Sequence, residues 1–175
     1  MSDENALFFL KRQFDTAWKL ASHHLNGLTT EQCLWRPSSR GPHVFRSPDG
    51  VWHADWPEHE IYDAGPPSIA WLTWHISFWW AMVLDHSIGA RTLKREDVVW
   101  EGSAERALAR IDSLRSQWLA MLDEIRETDL EETVHTRWPF SERPFGDVLA
   151  FVNLELTKNA AEIGFVRFLF AQRLT

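Results

Sequence analysis

Phe151 to Arg167 reads FVNLELTKNAAEIGFVR. At about 100° of rotation per residue, Val148, Val152, Glu155, Asn159, Ile163, Val166 and Phe170 fall in one narrow stripe. Apolar residues at this spacing predict a helix that turns the stripe toward a core. Glu155 and Asn159 sit one turn apart near its centre, and Glu162 lies on its edge. A carboxylate and an amide inside an apolar stripe need partners, because burying them unpaired is costly. What those partners are is the main clue to function.

Three more helices can be read outward from this one. Residues 4–26 carry Leu7, Leu10, Phe14, Trp18, Ala21 and Leu25 at helical spacing, with Asp3 as the expected cap and Gly27 as the left-handed stop. His23 and His24 near its end suit the helix dipole. Thr29 or Thr30 then opens a short turn of helix that Pro37 ends. A helix over residues 68–87 follows Pro66-Pro67-Ser68, with Ile69, Leu72, Ile76, Trp79 and Val83 as its apolar face. His75 belongs to that face. Residues 103–127 form the third, capped by Ser103, with Ala107, Ile111, Leu114, Trp118, Met121, Leu122 and Ile125 inward. The helix around Glu155 spans 145–172, and Gly164 within it allows a neighbour to approach closely.

Two long connections join these helices. Residues 36–66 are rich in Pro, Gly and Ser, and Ser47-Pro48-Asp49-Gly50 is a turn signal. The segments 43–46 and 51–54 flank it as a small hairpin. Asp55, Glu58, His59, Glu60 and Asp63 follow as an acidic cluster whose spacing matches no metal loop, so it reads as a solvated loop. Trp52, Trp56 and Tyr62 give this connection something to pack with, and they predict a wall over one end of the bundle. In the second connection, residues 128–146, Trp138 and Phe140 are expected anchors. The pattern predicts an all-α four-helix bundle with two long connecting loops, one domain over residues 1–175.

Composition narrows the partners. The chain has 175 residues and a net charge of −7, which argues against nucleic acid. Cys33 is the single cysteine, so no internal disulfide and no cysteine zinc cage can form. No apolar run is long enough for a membrane span, and the first residues do not read as a signal peptide. A cytoplasmic location is expected. Eleven tryptophans suit a pocket lining as well as a core.

The order of features resembles the DinB-like (YfiT-like) family of four-helix bundles. The resemblance rests on GLTTEQCLWRP after the first helix, PSIAWLTWHISFWW in the second, and AEIGFVRFL near the end. It covers nearly the whole chain. It implies a bundle, often a homodimer, with a divalent metal in a pocket at one end. It also implies activity on small molecules, hydrolase-like or thiol-transferase-like. The family's metal-binding histidine in the second helix is His75 here. Its two other histidines, spaced four apart, fall on Glu155 and Asn159, and the small residue before the acid is Ala161.

The residues leave two arrangements open. In one, His75, Glu155 and Asn159 bind a divalent ion through one nitrogen and two oxygens, with Glu162 as second shell or catalytic base. Oxygen ligands shift such a site from zinc and copper toward manganese, iron(II) or magnesium. Manganese, iron, nickel and zinc are the ions to test. In the other, the same residues form a metal-free network in which Glu155 accepts from His75 and Asn159 braces the carboxylate. The function classes are then a metal-dependent enzyme, a metal-free member that binds a small-molecule ligand, or an association module.

Overall fold

The long helices begin where a side chain satisfies their first free N–H groups. Asn5 accepts from Phe8 N at 3.0 Å and opens α1 (Ala6–Leu25). Thr29 opens α2 (Thr30–Leu34) in a capping box with Gln32. Ser68 accepts from Trp71 N at the start of α3 (Ile69–Ile88), and Ser103 from Arg106 N at the start of α4 (Ala104–Glu124). α5 (Phe145–Gln172) follows Pro144 instead, with no side-chain cap. The computed structural model describes residues 5–57 and 62–173. The expected cap Asp3 lies outside the described residues, and Asn5 does the capping. α4 stops at Glu124 because Ile125 turns extended, and a 3-10 turn, Glu127–Glu131, follows.

That turn ties the bundle shut. Both carboxylate oxygens of Glu127 accept from α1, at 3.0 Å from Ala6 N and 3.0 Å from Leu7 N. A negative charge at a helix N-terminus is favourable. α5 packs on α1 and on α3, and α4 packs on α3. Trp80 of α3 reaches α1, with ring centroids 6.1 Å from Phe14 and 6.1 Å from Trp18. The long helices share one apolar cluster. Among the described residues, no helix is long and apolar enough to cross a membrane.

Two helices are more deeply buried than their apolar stripes predict. Nearly every residue from Ile69 to Leu84 is buried, so α3 has no solvent face over most of its length. α4, α5, α2, α1 and the two connections cover it between them. α5 buries Leu149, Asn153, Leu156, Ala160 and Gly164 beside the expected stripe, because it touches both α1 and α3. A Cβ on Gly164 would lie 2.5 Å from the His24 ring, so a bare backbone is what lets α1 approach here. Arg167 Nη1 donates to the carbonyls of His24 and Asn26 at 2.7 and 2.9 Å, satisfying the open end of α1. Gly27 follows at φ +70°, as its left-handed stop requires.

The first connection carries the expected hairpin, β1 (Val44–Arg46) antiparallel to β2 (Trp52–Ala54), with Phe45 opposite His53. Trp52 packs edge-on to Trp100 at 5.3 Å, and Trp100 N donates to Trp52 O at 2.9 Å. Trp71 Nε1 donates to Asp55 O at 2.7 Å. The last bond holds the segment against α3, and the contacts with Trp100 tie it to the connection between α3 and α4.

Candidate functional site

His75 lies two turns into α3 and is buried. Asn159 and Glu155 come from the middle of α5, which packs on α3. The three side chains meet. Asn159 Oδ1 is 2.9 Å from His75 Nδ1, and Glu155 Oε2 is 3.9 Å from the same nitrogen. Asn159 Nδ2 donates to the backbone carbonyl of Glu155 at 2.6 Å. That bond turns the amide oxygen toward the imidazole. The direct partner of His75 is therefore Asn159, where the sequence reading put Glu155. The Glu155 carboxylate leans outward to Lys158 Nζ, 3.3 Å away.

A fourth residue completes the arrangement. Trp79 Nε1, one turn along α3, is 3.0 Å from His75 Nε2. An indole nitrogen only donates. Nε2 must then accept, which puts the ring proton on Nδ1, facing the Asn159 oxygen. Both ends of the ring demand the same neutral tautomer. Burial pushes the His75 pKa down to about 4; the Asn159 bond opposes that shift and Lys158 adds to it. The imidazole is neutral near pH 7, so its 3.9 Å approach to Glu155 is not an ion pair.

This donor set can be tested against a divalent ion. The oxygens of Asn159 and Glu155 lie close enough to Nδ1 to share an ion with it. Nδ1, however, carries the proton, and the lone pair on Nε2 is taken by Trp79. As packed, His75 has no lone pair to offer, and the trio does not fit a resident metal. Among the described residues, no group of three His, Cys, Asp or Glu side chains forms a metal cluster.

An open cleft of about 800 Å³ lies on the other side of His75. Trp71 stacks on the imidazole at 4.5 Å and 18° between planes, and both line the cleft. Lys158, Glu162, Phe165 and Val166 supply the α5 wall. Arg40, Pro42, Asp55, Trp56 and Pro57 come from the first connection, as do Ala64, Gly65, Pro66 and Pro67. Glu162 is half-buried at this margin, a turn from Asn159.

Two further acids of the first connection have partners within it. Asp55 accepts from His43 N at 2.9 Å, and Asp63 lies 3.5 Å from Arg40. Glu58, His59 and Glu60 lie outside the described residues, as does the Tyr62 side chain. Cys33 is fully buried, and burial pushes its thiol up to about 12, so it is no nucleophile near neutral pH. Trp79, Trp71 and Trp138 were not legible as site residues. The available signal was an indole donor one turn from a core-facing histidine, at positions 75 and 79.

The profile of the DinB superfamily matches residues 13–163, and the chain belongs to that superfamily. No curated protein and no solved structure matches it.

Proposed function

We propose that this member of the DinB superfamily binds a small organic molecule in the cleft between α3, α5 and the first connection, without using a resident metal. The observation that carries the reading is the open cleft with the stacked His75–Trp71 pair in its wall and Lys158 and Glu162 beside it. Its size suits a drug-sized molecule. Aromatic faces supply contact area, and the two charged side chains supply orientation. Both imidazole nitrogens are engaged, so His75 backs the Trp71 ring in the cleft wall and is not a general base. Glu162 is the carboxylate that the reading assigns to the ligand, and Asn159, braced by the Glu155 backbone carbonyl, holds the imidazole still. The reading assigns binding and no reaction. Metal-dependent hydrolase-like or thiol-transferase-like turnover, which the resemblance implies, draws no support from these donors.

The test is saturable binding. Tryptophan fluorescence and thermal shift are followed against 8-anilinonaphthalene-1-sulfonate and a panel of small carboxylates, amines and thiols. Phe165→Ala, at a side chain 56% exposed, is expected to weaken the hits at least several-fold without lowering the unliganded midpoint, and Glu162→Ala to weaken them at least several-fold. A protein that saturates with none of them lacks the proposed site.

Association with a second copy is a second reading, favoured by one observation. Leu154, Phe165 and Phe168 are 61%, 56% and 71% exposed on one outward face of α5. Light scattering of the wild type and of Phe168→Ser distinguishes a homodimer held there from a monomer.

A further inference from the structure

We propose that the indole N–H of Trp79 controls the tautomer of His75 and so excludes a divalent ion from a site whose oxygens would otherwise admit one. A hydrogen-bond chain, Trp79 to His75 to Asn159 to the Glu155 carbonyl, stands where the resemblance implies a metal centre. This inference does not depend on what the cleft binds.

The geometry around Nδ1 makes the point. Two ligand atoms bound side by side to one octahedral ion, each at about 2.1 Å, are about 3 Å apart. Asn159 Oδ1 and His75 Nδ1 are 2.9 Å apart, and Glu155 Oε2 is 3.9 Å from that nitrogen. Distance alone therefore does not exclude an ion. The proton does. For Nδ1 to ligate, its hydrogen must move to Nε2. There it would face the N–H of Trp79 at 3.0 Å, two donors head to head with no acceptor between them. Trp79 cannot easily turn away. Its ring lies 4.9 Å from Trp138 and 4.8 Å from Phe151, packed between the second connection and α5. Coordination through Nε2 fails for the related reason that the indole nitrogen occupies the lone-pair direction.

The amide end agrees independently. If the Asn159 amide were flipped, its oxygen would face the Glu155 carbonyl, oxygen to oxygen at 2.6 Å. The donor from Trp79 and the acceptor from Asn159 thus select one tautomer from opposite ends of the ring. Metal-binding histidines use their second nitrogen to donate outward, which raises the basicity of the ligating one. Here the second nitrogen receives a donor, the reverse polarity. Trp79 is a positioning residue in this scheme; it acts only through His75.

Two measurements test it. In the wild-type protein, long-range proton–nitrogen correlation spectra are expected to show His75 protonated at Nδ1 and bare at Nε2. The opposite tautomer would overturn the inference without any variant being made. The second is uptake of Mn(II), Co(II) and Zn(II), read by equilibrium dialysis with elemental analysis and by Co(II) absorption. Wild type is expected to retain no stoichiometric ion. Trp79→Phe keeps an aromatic ring, a smaller one, and removes the donor, which frees the tautomer. It is expected to bind at least one of these ions about tenfold more tightly or better, the usual scale of an outer-shell change. The gain should disappear in Trp79→Phe/His75→Ala. Wild type holding one equivalent of metal lost in His75→Ala, or a folded Trp79→Phe with no gain in affinity, would overturn the proposal.

Discussion

Between α2 and α3 the chain forms walls around an open cleft, with Arg40, Asp55 and Trp56 beside the space. Between α4 and α5 it sets Trp138 against Trp79 and Phe78, at 4.9 and 5.6 Å, and fills the space. The same histidine lies between them. On the cleft side, the face of its ring is stacked on Trp71 and charged side chains stand nearby. On the other side, an indole donor fixes its proton. On the reading proposed above, the two sides do different work: the open side takes a ligand while the closed side keeps a metal out. The pocket needs only open space beside the stacked His75–Trp71 pair, whereas coordination needs a lone pair at the imidazole edge.

The largest expected effect lies on the closed side. Asn159→Ala leaves the Nδ1–H of a buried imidazole without an acceptor and opens a small void. It should cost about 3 kcal/mol in urea unfolding. A loss below about 1 kcal/mol would show that the hydrogen-bond chain is not what organises His75.

The acid response is next. The folded-state pKa of His75 is depressed to about 4 from 6.5. The unfolded chain therefore takes up a proton between those values that the folded chain refuses. The His75 contribution to stability is full above about pH 6.5, falls as pH drops toward 4, and is gone below, a loss of up to about 3 kcal/mol. His24 and His43 are also depressed by burial and titrate in the same direction. The reading is therefore the difference in slope between wild type and His75→Gln. Equal slopes would mean that His75 is not held neutral.

The two connections can be compared directly. Trp138→Ala should cost about 2 kcal/mol, since the half-buried ring packs against Phe78, Trp79 and His86. Trp56→Ala on the cleft margin should cost about 1 kcal/mol, because Trp56 is 40% exposed. Equal losses would remove the distinction between a filled side and an open one. The smallest effect belongs to Glu155→Gln. It gives up an i,i+3 contact with Lys158 but keeps the backbone carbonyl that Asn159 uses, and it should stay within about 0.5 kcal/mol. A large loss there would restore Glu155 as the main partner of His75.

Much of this was legible in the chain itself. Helix periods, caps and breakers located α1, α3, α4 and α5 to within a few residues, and Ser47 to Gly50 marked the hairpin turn. These signals are local, since a turn of helix or a tight turn is specified by its own residues. The placement of His75, Glu155 and Asn159 on core-facing stripes was legible for the same reason, and it brings them together in space. Only the tertiary structure decided which oxygen takes the imidazole proton and that Trp79 is its counterpart. Glu155 and Asn159 both lie within 4 Å of Nδ1, 80 and 84 positions away in the chain. Choosing between them depends on side-chain rotamers, on the carbonyl that turns the Asn159 amide, and on Trp138 and Phe151 packing the indole in place. Periodicity assigns a residue to a face. A hydrogen bond across that face is decided by angles and tenths of an ångström, which exist only once the core has closed.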